Sequence, residues 1–146
     1  MKIAIKNARI IDPASGRDAP GDLYVADGKI VEEFARPDRT IDAKGLVAAP
    51  GFIDISARLR EPGFEYKATL ESEMEAALAG GVTSLACPPD TDPPLDEPGL
   101  VDMLRRRAKA LSRARVYPIG ALTVKLEGEQ LTEMAQLAET GCVAFS

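Results

Sequence analysis

The segment Asp54-Ile55-Ser56-Ala57-Arg58-Leu59-Arg60-Glu61-Pro62-Gly63 follows a short apolar run, Gly51-Phe52-Ile53, and holds the most chemically informative residues of the chain. A carboxylate closing a strand, with two alternating positions after it, is where a barrel hydrolase would hold metal. Ser56 and Arg58 stand at those two positions, and the chain has no histidine. A guanidinium carries N–H donors and no lone pair to offer a cation. Arg58 would instead place positive charge where a divalent ion should sit. The segment has the form of a hydrolytic metal site with its metal chemistry removed, and no metal or other cofactor is expected.

Other reaction types find less support. Ser56 and Ser84 lack a histidine to activate them and lie outside any Gly-x-Ser-x-Gly elbow. Lys44, Lys67 or Lys125 would need burial to act as a general base, and the sequence singles none of them out for it. Cys87 and Cys142 have no CxxC spacing and read as buried free thiols at strand ends. No residue is assigned a catalytic role. Asp54 is expected to pair with Arg58 or Arg60. Arg60 has two readings: a bidentate grip on an anion, or a loop-anchoring salt bridge to Glu61 or Glu65. Pro62-Gly63 reads as a rigid turn with Gly63 at positive φ.

The elements that position these residues fall into two grammars. Residues 1–49 read as strands: an alternating run from Lys2 to Ile11, a hairpin about Asp27-Gly28, and a short strand near Thr40 to Ala43. After Pro50 strands and helices alternate. The strand ending at Asp54 precedes a helix from Thr69 to Leu78 that Gly80-Gly81 stops. Val82 to Cys87 reads as strand, and Pro88 to Pro94 as an irregular loop, either a solvated connector or a pre-stiffened partner surface showing Asp90 and Asp92. A helix over Pro98 to Leu111 leads to a strand from Arg115 to Leu122, where Pro118 should forbid a regular central ladder. A helix seeded by Gln130 to Leu137 and a strand over Cys142 to Phe145 close the series. Repeated strand-helix units imply parallel strands and number roughly half of an eightfold barrel.

The expected fold class is therefore α/β, with residues 1–49 an all-strand portion, which the family resemblance given below makes a β-sandwich portion, and residues 50–146 the first half of a (β/α)8 barrel. The ending on an apolar strand at Ser146 reads as an interruption, and half a barrel with exposed edges predicts association. A net charge of −5 argues against a nucleic-acid partner. The run Arg105-Arg106-Arg107-Ala108-Lys109, continued by Arg113 and Arg115, could bind anions or form the solvated face of a helix. With no long apolar stretch and an N-terminus that turns polar early, a membrane role is not expected and the cytoplasm is the default location.

From Gly51 to Gly63 and from Gly80 to Pro93 the chain closely resembles dihydroorotase of the amidohydrolase superfamily. That family carries Gly-Phe-x-Asp-x-His-x-His-Leu-Arg-x-Pro-Gly. The resemblance implies an amidohydrolase-type TIM barrel preceded by strands of a small β-sandwich, with zinc in the family's active members. It places the two motif histidines on Ser56 and Arg58, leaving Asp54, Ser56 and Arg58 as vestigial metal-site positions. It also implies that Arg60 retains the arginine that binds the substrate carboxylate. The family's Met-Pro-Asn-Thr-Arg-Pro loop falls on Pro88 to Pro93, so its substrate-contacting asparagine has become Asp90, which would repel an anionic substrate. These changes resemble the inactive dihydroorotase-like proteins that partner aspartate transcarbamoylase. The resemblance thus implies a noncatalytic subunit of pyrimidine biosynthesis, in a hetero-oligomer with the aspartate transcarbamoylase catalytic subunit. An active, metal-dependent cyclic amidohydrolase completed by residues beyond 146 is the alternative, and an anion-sensing role for Arg60 a third reading.

Overall fold

The computed structural model describes residues 1–146, which divide into two compact units, Met1–Pro50 and Gly51–Ser146. The first unit is all strand: β1 (Lys2–Asp12), β2 (Arg17–Ala26), β3 (Lys29–Val31), β4 (Arg39–Asp42) and β5 (Val47–Ala48). Its order is β3-β2-β1-β4, and β5 also pairs with β1. The β2–β3 hairpin turns on Asp27 at φ 50 and Gly28 at φ 75, the left-handed pair that a two-residue turn demands. The β1 alternation changes phase between Ile5 and Ala8, where a bulge inserts one extra residue against β2. That insertion lets Ile5 join Ala8, Ile10 and Ala43 in one apolar cluster. Asn7, at φ 63, is pinned there because its N–H donates to Asp22 Oδ1 at 2.9 Å and its Nδ2 to Asp42 Oδ1 at 3.0 Å.

The second unit is a curled parallel sheet, β6 (Phe52–Asp54), β7 (Val82–Cys87), β8 (Arg115–Gly120) and β9 (Ala144–Phe145), in the order β6-β7-β8-β9. Helices α1 (Leu70–Ala79), α2 (Pro98–Leu111) and α3 (Met134–Thr140) fall between successive strands. This is the partial barrel expected, and with the strands that precede it the chain has a mixed α/β fold. Leu59, Leu70, Met74, Leu85, Leu95, Val101, Leu104 and Leu137 are each at most 2% exposed and form one core between sheet and helices. No helix is long and apolar enough to cross a membrane.

Each helix is bounded by local chemistry. Thr69 caps α1 through a box with Ser72, each side chain meeting the other's backbone N–H. Pro98 opens α2, where its missing N–H costs nothing. Gly141 ends α3 in the left-handed region at φ 112.

As expected, no regular two-sided ladder runs through Pro118: β8 hands its pairing over at that residue, Arg115–Pro118 facing β7 and Ile119–Gly120 facing β9. The proline lacks a donor, but its carbonyl still accepts from Val143 N at 3.0 Å. The third helix begins at Met134 rather than Gln130, because Gln130 and Leu131 fold back on the chain. Val124 N donates to Gln130 O at 2.8 Å, and Leu131 bridges Thr123.

Candidate functional site

The sheet delivers Asp54 to the end of β6, and the chain then leaves the ladder while keeping one tie to it, Ala57 N to Ala86 O at 2.9 Å. Beyond that point alternation sets direction. Ala57, Leu59 and Glu61 turn inward, with Leu59 2% and Glu61 5% exposed, while Ser56 and Arg58 face solvent. Asp54, Ser56, Arg58 and Arg60 line one open groove of about 360 Å³ together with Glu73 and Leu85.

Arg58 and Asp90 form the central contact. Arg58 Nε donates to Asp90 Oδ2 at 2.6 Å, joining the segment after β6 to the loop after β7. That hydrogen bond holds the Arg58 guanidinium charged even more firmly than usual. The expected pairing of Asp54 with Arg58 or Arg60 does not occur. Asp54 Oδ1 instead accepts from Ser56 N at 2.9 Å, a turn two residues wide that keeps the carboxylate on its own strand end.

Arg60 also departs from its expected salt bridge. It sits at φ 66, and its carbonyl accepts from Phe64 N at 2.8 Å, so it shapes a tight turn. Neither Glu61 nor Glu65 pairs with it. Glu65 receives Gly63 N through both oxygens, at 3.1 and 3.0 Å. Glu61 is buried and meets Arg107 of α2, Oε2 to Nη2 at 2.7 Å. The approach lies off the N–H axis, so the pair is held by charge without an aligned hydrogen bond. Sequence reasoning missed this pair; the signal was the phase of Glu61, which shares the inward alternation of Leu59.

The turn at Pro62-Gly63 has the positive φ expected, 97° at Gly63. It is also a point of backbone contact, since a Cβ on Gly63 would lie 2.3 Å from the Asp92 carbonyl oxygen. Asp92 N donates to Pro62 O at 3.0 Å, a second tie between the two loops. The loop from Pro88 to Pro94 is not a loose connector. Thr91 is buried and its hydroxyl donates to Pro93 O at 2.8 Å, while Leu95 N reaches Pro89 O at 3.1 Å and Leu95 is fully buried. Asp90 turns toward Arg58 instead of standing free.

No group of three or more His, Cys, Asp or Glu side chains converges anywhere in the structure. The chain has no histidine to activate the Ser56 hydroxyl. Cys87 lies against Arg58, Arg60, Phe64, Asp90 and Thr91 around a hollow of only about 10 Å³, and burial pushes its thiol up to about 11. Burial also raises the Cys142 thiol. Both cysteines are free.

The likeness to known proteins extends over the whole chain. The chain is 52% identical over its full length to a "Dihydroorotase-like protein" of Pseudomonas aeruginosa, of which it spans 36%. It is 39% identical to a "Dihydroorotase" of Aquifex aeolicus, again covering all of this chain and 36% of that protein. The chain thus spans about a third of the length of the curated relatives it matches. Among solved structures, L-hydantoinase (dihydropyrimidinase) from Arthrobacter aurescens superposes with a TM-score of 0.81 at 23% identity, over 98% of this chain and 32% of that one. A dihydroorotase crystal structure superposes at 0.62 with 16% identity, over 95% of this chain and 38% of that one. At those identities the two structures establish the fold alone. The family described as dihydro-orotase-like matches residues 45–146, and the chain belongs to that family.

Proposed function

We propose that this chain is part of a noncatalytic dihydroorotase-like subunit that supports assembly of aspartate transcarbamoylase in cytoplasmic pyrimidine biosynthesis. The observation that carries the reading is the Arg58–Asp90 ion pair at 2.6 Å. A metal-dependent amidohydrolase needs a cation there to polarise a carbonyl and acidify water. Here a fixed guanidinium stands beside the one remaining carboxylate of the motif, Asp54, and Asp90 is engaged with it. In this reading Asp54, Ser56 and Arg58 are vestigial metal-site positions. Arg60 and Asp90 are inherited substrate-side positions, of which Asp90 has been turned into the partner of Arg58. The two units are assigned as a β-sandwich portion and the first half of the barrel. Association with the aspartate transcarbamoylase catalytic subunit would make a hetero-oligomer without nucleic acid or membrane.

The test is light-scattering molar mass after size exclusion, for the full-length protein and the aspartate transcarbamoylase of its source, alone and mixed. The expected outcome is a stoichiometric heavier complex, with no dihydroorotase turnover when zinc is added. Separate elution of two folded proteins refutes the partnership, and zinc-dependent turnover above a mock purification refutes the loss of catalysis. A second reading draws on the relatives that carry the name dihydroorotase, including one of Citrifermentans bemidjiense at 43% identity. In that reading the rest of such a protein completes a metal site around Asp54, and turnover is the outcome that favours it.

A further inference from the structure

The basic run of α2 does not end as one solvated helix face. Arg105, Arg106 and Lys109 of α2, Arg113 of the following turn, and Arg115 and Tyr117 of β8 line a single open hollow of about 500 Å³. Five cations from a helix, a turn and a strand thus converge in a chain whose net charge is −5. The convergence is electrostatically unfavourable by itself. Arg105 and Lys109 are like charges one helical turn apart, a spacing that weakens a helix.

Only part of that charge is answered from within. Asp102 meets Arg106 at 2.7 Å, and Glu75 meets Arg113 at 2.9 Å. Arg105 gives an N–H to the Thr140 carbonyl at the end of α3. Lys109 and Arg115 have no carboxylate partner. Tyr117, 38% exposed, adds an aromatic surface to the same wall.

We propose that this hollow binds a small polyphosphate anion, with Lys109 and Arg115 as the principal phosphate contacts. Adjacent phosphates need several donors spread over different directions, which one helix face cannot give and a helix, turn and strand together can. The volume suits a ligand of nucleotide size. Two sources share the chemistry: a nucleoside polyphosphate, whose base would lie on Tyr117, and inorganic polyphosphate.

The experiment is isothermal titration of the full chain with sodium tripolyphosphate and, separately, with ATP, both free of divalent metal. Both anions are expected to bind. The Lys109→Glu/Arg115→Glu variant should weaken binding at least about tenfold, since each lost charged contact is worth about that factor. Lys29→Glu/Lys44→Glu, an equal charge change in the first unit, should leave affinity unchanged. Arg115→Gln is the milder second variant, expected to bind more weakly while keeping its helical circular dichroism. If ATP binds tighter than tripolyphosphate and Tyr117→Leu removes the difference, the ligand is a nucleoside polyphosphate; equal affinity identifies inorganic polyphosphate. Failure of both anions to bind, or a double variant that binds as the parent does, overturns the proposal.

Discussion

Removing Arg107 tests how the loop after β6 is held. Glu61 is 5% exposed, and its only charged neighbour is Arg107, at 2.7 Å. Arg107→Ala leaves a carboxylate in the core boundary with no opposite charge. Breaking a fully buried pair costs about 3–5 kcal/mol. The Arg107 side chain is 53% exposed and water can approach from its side, so the lower range of an unsatisfied buried group, about 1–3 kcal/mol, applies. With a urea slope of about 1–3 kcal/mol per molar, a loss of about 2 kcal/mol moves the unfolding midpoint by roughly 1 M. All three helices belong to the second unit, so helical circular dichroism follows that unit alone. The sharper prediction is the double variant. Glu61→Gln/Arg107→Ala removes the stranded charge and should be more stable than Arg107→Ala. A midpoint unchanged by Arg107→Ala, or a double variant no better than the single, would refute the orphaned-charge argument.

Gly63→Ala should destabilise the second unit by about 1–3 kcal/mol in the same assay, because φ 97 and a 2.3 Å approach to the Asp92 carbonyl oxygen both oppose a side chain. In the first unit, hydrogen bonds from Lys6 and from Asn7 N hold the Asp22 carboxyl below its ordinary value of 3.8, and Arg9 does the same for Asp18. A depressed folded value means stability that is present above the unfolded value and lost as pH falls through the folded one. Acid titration should therefore begin to lower the stability of this unit below about pH 4, and Asp22→Asn should flatten that dependence. Alkylation of the native protein near neutral pH should reach Cys142 before Cys87, which is 1% exposed; mass spectrometry of the labelled peptides gives the order. Ser56→His/Arg58→His should gain zinc affinity that the parent lacks, measurable by calorimetry, since it puts two imidazoles within reach of Asp54.

Much of the architecture was legible because it rests on local rules. The Asp27-Gly28 hairpin, the glycine stops and the proline-led α2 each follow from backbone preferences of the residues themselves. The parallel strand order followed from the alternation of strand and helix. Pro118 marks the point where β8 changes neighbours, because it lacks the donor that a continuous two-sided ladder needs, while its carbonyl still pairs. The start of α3 was misplaced because the fold-back of Gln130 onto Val124 depends on a tertiary contact that periodicity does not record. In the candidate site, the absence of imidazoles is plain from residue types. The pairings are not, since Asp54 lies far nearer to Arg58 along the chain than Asp90 does. The choice of Asp90 is set by how β6 and β7 align.

The Arg58–Asp90 pair also bears on descent. It joins residues 32 positions apart, and each makes the other tolerable. Placing a histidine at position 58 would leave the Asp90 carboxylate without its partner, and placing an asparagine at position 90 would leave the Arg58 cation without one. On the proposed reading neither single step makes a metal ligand set, because Ser56 must change as well. The pair would then act as a ratchet, with two unhelpful intermediates on any path toward metal-dependent catalysis.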